Sequence, residues 1–212
     1  MLNLLLMWPP SRATVAVAAG VLVLIGIAVG VWFWSDVQDR RATAVYVAAM
    51  SPLSGAAGAA VTPEVRAAAA KNLEAALAQY PSAAMAPLGA YELANVRYAE
   101  RDWARARAAY EVAAARTGSP TLKALSRAGV GYTWEAERNP AKATESFQQA
   151  LSDVKPGDFY YDDLMLDLGR AQEQAGKKDA AVETYRRYLK ELPKSTRAED
   201  VKARLGRLVP AS

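Results

Sequence analysis

The sequence contains no cysteine and no histidine. It offers no thiolate or imidazole to a metal, no cysteine nucleophile and no histidine base for a catalytic triad. Disulfide-stapled secreted scaffolds are excluded as well, while cytosol and periplasm both stay open. No window alternates apolar and polar residues over strand length, and no glycine-rich phosphate loop is present. Blocks of one charge sign are scarce too. The 26 Lys and Arg residues are interspersed with 22 Asp and Glu, so the net +4 reads as a solvated helical surface and not as a nucleic-acid stripe. In a chain of 212 residues these absences leave one folded domain with an appendage. They set the expectation of no catalytic residues, no metal, no cofactor, no nucleic acid and no small-molecule substrate.

What is present begins with an uncharged run from Ala13 to Trp34. At 1.5 Å per residue, about 21 residues give roughly 32 Å, the thickness of a bilayer core. Trp8 precedes the run and Trp32 and Trp34 close it, matching the aromatic belts at two headgroup levels, and Ser11 after Pro9-Pro10 is placed to cap its start. The rival is a cleaved signal peptide. The run exceeds a secretory h-region, and the Ala42-Thr43-Ala44 site lies beyond Asp36, Asp39, Arg40 and Arg41. Residues 13–34 are therefore expected to span a lipid bilayer as a retained anchor. Gly26 and Gly30 form a small-xxx-small pair for close helix approach, unless they are simply the glycines common in membrane helices. The apolar segment Met1–Trp8 either lies flat at the interface or packs on a neighbouring membrane protein. Positive charge is nearly balanced across the run and does not fix its orientation.

The remainder repeats. Gly131 is followed by Ala143, Phe147 and Ala150; the same offsets recur as Gly169, Ala181, Tyr185 and Tyr188, and earlier as Ala94, Ala106, Tyr110 and Ala113. A half-unit gives Ala69, Leu73 and Ala76. A small residue on a first helix lets a second approach, and the aromatic fills the gap between them. Turn residues fall where a helical hairpin needs them, at Glu100-Arg101-Asp102, Arg138-Asn139-Pro140 and Ala175-Gly176-Lys177-Lys178. The fold class expected is all-α: one transmembrane helix followed by an α-solenoid of three to four hairpins. The divisions are a tail over 1–12, the membrane helix over 13–34, a membrane-proximal helix and small-residue loop over 35–62, and the repeat domain with a C-terminal capping helix over 63–212. Thr62 is the expected N-cap of the first repeat helix, with Pro63 in its first turn.

Gly131, Trp134, Ala143, Phe147, Ala150 and Leu151, and again Gly169, Ala181, Tyr185, Leu189 and Pro193, resemble the tetratricopeptide-repeat signature. The order of parts is similar to the YfgM-like proteins of the Gram-negative inner membrane, ancillary to the Sec translocon and periplasmic chaperones. That resemblance implies a single-pass inner-membrane anchor with the repeats in the periplasm. The family fold implies a concave groove lined by first helices, with Leu88, Tyr91, Asn95 and Tyr98, then Leu125, Tyr132 and Glu135, then Asp163, Arg170 and Glu173 on the candidate face. Tyrosines there suit an extended peptide or a partner helix, or else pack against neighbouring units. Asp158 or Asp162, in the loop Lys155–Asp163, is expected to start the helix that follows. Two functions stand: a membrane-anchored adaptor for protein partners, or an architectural subunit of a larger membrane complex.

Overall fold

A computed structural model of the chain describes residues 12–54 and 61–209. The apolar tail Met1–Trp8, the Ser11 cap and the loop from Gly55 to Ala60 lie outside them. The described residues are all-α and without a strand: α1 (Arg12–Met50), α2 (Pro63–Gln79), α3 (Ala86–Ala99), α4 (Trp103–Arg116), α5 (Pro120–Ala136), α6 (Pro140–Leu151), α7 (Tyr161–Gln174), α8 (Lys178–Glu191) and α9 (Ala198–Leu208). A 3-10 turn over Ser51–Ser54 follows α1. Consecutive helices pack as hairpins, with the end of α1 on α2, then α3 on α4, α5 on α6, α7 on α8, and α9 closing the array on α8.

Local chemistry sets these boundaries. Val65 N–H donates to the Thr62 hydroxyl at 3.4 Å, with Pro63 in the first turn, so the expected cap opens α2. Ser119, Asp102 and Asn139 accept in the same way from Leu122, Arg105 and Lys142 at the starts of α5, α4 and α6. Between the two helices of a hairpin the chain reverses through one left-handed residue: Arg101 at φ 62°, Arg138 at φ 57° and Gly176 at φ 73°. The residue after each donates its N–H to a carbonyl one turn back, Arg97, Trp134 and Gln172 in turn, which satisfies the end of the first helix.

Packing follows the repeat read from the sequence. Ala106, Ala143, Phe147, Ala150, Ala181, Tyr185 and Tyr188 are fully buried. A Cβ on Gly131 would lie 2.6 Å from the Phe147 ring, so glycine is what lets α6 seat its aromatic against α5. The first unit carries Arg97 where Trp134 stands in the second. Arg97 bridges Glu74 of α2 and Glu100 by ion pairs, whereas Trp134 lies under the Arg107 guanidinium, 3.5 Å from the ring centroid.

A single helix, α1, carries the apolar run into the array. α1 continues without a break for 39 residues, roughly 58 Å. Its N-terminal part is long and apolar enough to cross a membrane, and its large apolar side chains from Val15 to Trp34 are exposed. Its last turns are core. Ala42, Tyr46 and Ala49 are buried, at the same spacing as Ala143, Phe147 and Ala150. The Tyr46 ring occupies the space over Gly89 of α3, where a Cβ would come within 2.5 Å. Its hydroxyl donates to the carbonyls of Tyr80 (3.0 Å) and Ala76 (3.3 Å), the open C-terminal end of α2.

Candidate functional site

The first helices α1, α3 and α5 approach one another on one side of the array. That makes it the concave side of a solenoid whose second helices lie at larger radius. The wider spacing outside leaves furrows between α2 and α4, α4 and α6, and α6 and α8, of about 250, 340 and 520 Å³.

The concave side is paved with tyrosine. Tyr91 of α3 packs on Tyr110 of α4 with centroids 5.7 Å apart, and Tyr98 packs on Trp103 at 4.8 Å. The Tyr110 hydroxyl donates to Asn95 Oδ1 at 2.7 Å, and the Asn95 amide donates to Glu92 at 3.3 Å. Both ends of Asn95 are therefore engaged. Leu88, Tyr91 and Tyr98 remain half-buried on the α3 face.

One unit further on, the candidate residues hold one another. The Tyr132 ring meets Phe147 edge-on at 5.2 Å, and its hydroxyl bonds to the Asp167 carboxylate and the Tyr160 hydroxyl. Arg170 reaches back from α7 to α5, donating to both Glu135 oxygens at 2.9 and 3.3 Å, and also pairs with Asp167 at 3.0 Å. Burial pushes the Asp167 carboxyl above its usual range, against the lowering effects of the Tyr132 hydroxyl and the Arg170 charge. Burial raises Tyr132 as well, with the Asp167 charge adding to it. Tyr98 is raised by burial and then by Glu135, with Arg170 opposing. Glu173 repeats the step from α7 to α9, accepting from Arg204 at 3.1 Å and from the Tyr185 hydroxyl.

The structure thus separates eight of the ten candidate residues into two groups, while Leu125 is half-buried on α5 and Asp163 pairs with Arg197 at 2.5 Å. Leu88, Tyr91, Asn95 and Tyr98 form a half-open tyrosine face. Tyr132, Glu135, Arg170 and Glu173 form inter-unit rungs whose polar groups are already bonded within the chain. Gly26 and Gly30 stand on the exposed part of α1, and a Cβ on either would meet nothing within 4 Å.

Two residues join that are not on the candidate groove face, although Tyr160 is expected from its loop to pack between units or onto a partner. Tyr160 enters the cluster because its backbone is left-handed (φ 73°), which lays its ring beside Tyr132; no sequence pattern announces that turn. Tyr160 itself, and neither Asp158 nor Asp162, sits at the N-cap of α7. Asp158 accepts instead from the Lys155 N–H at 3.0 Å, and Asp162 accepts from Ser195 at 2.7 Å. The other residue is Tyr46, whose signal was legible as the Ala42-Tyr46-Ala49 spacing.

Among the described residues no group of three or more acidic, cysteine or histidine side chains is placed to hold a metal ion. Residues 136–205, from the end of α5 into α9, match the tetratricopeptide repeat family. No curated protein sequence matches the chain. Among solved structures, the chain resembles pilF of Pseudomonas aeruginosa at 17% identity and a TM-score of 0.54, covering 90% of each chain. It also resembles a chain of the APC/C hetero-tetramer Cut9-Hcn1 at 17% identity and a TM-score of 0.52. There 69% of this chain aligns and spans only 27% of the other. These likenesses establish the fold. The described residues form an all-α array of helical hairpins behind one long apolar helix, and its C-terminal part, residues 136–205, carries the tetratricopeptide-repeat match.

Proposed function

We propose that this tetratricopeptide-repeat scaffold is a membrane-anchored adaptor that presents the α3 tyrosine face to a protein partner at the bilayer surface. The observation that carries the proposal is the unbroken α1. A chain whose apolar segment passes directly into the buried core of the array, at Tyr46, holds its groove at a set place relative to the membrane. The anchor is read as single-pass in a bacterial inner membrane, with the array on the periplasmic side, in line with the YfgM-like order of parts. The exposed Gly26 and Gly30 favour one further reading, in which α1 also packs against a membrane helix of a larger complex as an architectural subunit.

Tyr91 and Tyr98 are the contact residues of choice, being large, amphipathic and half-open, whereas Tyr132 is tied to Asp167. Replacing both by alanine removes two aromatic anchors, each worth about 1–2 kcal/mol of binding. The expected result is an unchanged helical circular-dichroism spectrum and at least tenfold weaker recovery of the partner in affinity purification from detergent-solubilised membranes. Normal recovery by the double variant would move the contact away from this face.

A further inference from the structure

We propose that the partner segment received by the α3 tyrosine face carries an arginine, whose guanidinium stacks on Tyr91 and pairs with the Glu92 carboxylate. This rests on the reading of that face as the contact surface and names the chemistry it selects. A continuous set of contacts holds Glu92 beside the rings. Tyr91 packs on Tyr110, the Tyr110 hydroxyl donates to Asn95 Oδ1 at 2.7 Å, and the Asn95 amide donates to Glu92 Oε2 at 3.3 Å. Glu92 is half-buried and has no ion-pair partner among the described residues. The neighbouring carboxylates are already paired, Glu135 and Asp167 with Arg170, and Asp163 with Arg197. Burial raises the Tyr91 and Tyr110 hydroxyls, and the Glu92 charge adds to both, as its nearness requires.

The aromatic surface continues beyond Tyr91. Tyr160 lies within electrostatic reach of Tyr91 and Tyr110, and Phe159 stacks on Tyr160 with centroids 6.1 Å apart. Phe159 is 72% exposed, on a turn whose next residue, Tyr160, is held left-handed at φ 73°. Backbone strain at a bulky residue persists where the fold fixes a contact surface. Electron-rich rings beside an unpaired carboxylate attract a cation and repel an acidic side chain or a terminal carboxylate. Arginine fits this pair better than lysine, because a planar guanidinium lies flat on a ring while its edge donates to a carboxylate. Arg170 does not compete for Glu92, being shared by Glu135 and Asp167.

The test uses the full-length chain in dodecyl maltoside and fluorescence polarisation of labelled nonapeptides at physiological ionic strength. One peptide carries three arginines among serines and glycines; in two others the arginines are replaced by lysine or by citrulline, the neutral isostere. The chain's net charge of +4 opposes basic peptides on average, so a preference for one is local. The arginine peptide is expected to bind at least tenfold tighter than the citrulline peptide and at least threefold tighter than the lysine peptide. Glu92→Gln, which can still accept from Asn95, should bring the arginine peptide to within threefold of citrulline with an unchanged circular-dichroism spectrum. Glu199→Gln, at an exposed carboxylate on α9, should change nothing. Equal binding of the arginine and citrulline peptides, no binding of either, a lysine peptide as tight as the arginine one, or an equal loss in Glu92→Gln and Glu199→Gln overturns the proposal. Partner recovery by the Tyr91 and Tyr98 double variant separates the two levels of failure. Lost recovery without an arginine preference removes the arginine site alone. An arginine preference that needs Glu92, beside normal recovery, removes instead the reading of the face as the partner's contact.

Discussion

Replacing Tyr46 by alanine is expected to release the first hairpin from the end of the anchor helix while the far end of the array stays folded. Tyr46 is fully buried, covers Gly89 of α3 and closes two carbonyls at the end of α2. Truncating a buried aromatic of this kind costs about 3–5 kcal/mol. In an array whose units touch only their neighbours, the loss stays local. Amides of α2 and of residues 42–50 should therefore exchange roughly a hundredfold to a few thousandfold faster, since each 1.4 kcal/mol is a factor of ten, while α7 and α8 keep their protection. Tyr46→Phe keeps the ring and removes only the hydroxyl bonds, at about 1 kcal/mol, so its exchange should rise by roughly tenfold or less. Uniform exchange across the chain in the alanine variant would mean that the anchor and the array are not joined through this residue.

The second large effect lies in the middle of the array. Phe147→Ala should cost about 3–5 kcal/mol, toward the upper end, because the space the ring leaves faces Gly131, which has no side chain to move into it. Gly131→Leu in the wild-type background should cost about 1–3 kcal/mol by overpacking, since even a Cβ there would sit 2.6 Å from the Phe147 ring. The two changes together should cost less than their sum by at least about 1 kcal/mol, because the new leucine occupies the volume the phenylalanine vacates. Chemical denaturation of the full chain in detergent, followed by helical circular dichroism, measures all three. Strict additivity would show that the small residue and the aromatic do not meet.

This pairing is also where the sequence was most informative. Gly131 with Phe147 and Gly169 with Tyr185 are residues chosen by close helix approach, and a constraint of that kind writes itself into spacing. Thr62, with Pro63 behind it, was legible for a similar reason, since a cap demands a particular atom at a particular position. Tyr46 carried the same signal, but its triplet lies in the 35–62 segment read as a membrane-proximal helix and loop, outside the units in which the repeat was traced. The groove was harder. That Tyr91 and Tyr98 lie on one helix face follows from their separation by seven residues, two helical turns. That Tyr132, Glu135 and Arg170 are bonded to one another across α5 and α7 follows from the angle between units, which no local pattern encodes. Tyr160 depends on one left-handed backbone angle at a non-glycine residue, a conformation that the flanking fold imposes and residue type does not.

The claim on which the rest depends is that the apolar helix and the repeat array form one body. Because the chain has no cysteine, two introduced cysteines are its only labelling sites. Spin labels at Ile27→Cys, exposed on the apolar part of α1, and at Lys142→Cys, exposed on α6, can be placed in the full-length chain reconstituted into lipid nanodiscs. Double electron–electron resonance then reads the distance between anchor and array directly. One narrow distance distribution, broadened when Tyr46→Ala is added, is the expected result; a broad distribution in the otherwise wild-type chain would mean that the array swings freely on its anchor and would contradict a groove held at a set place above the membrane.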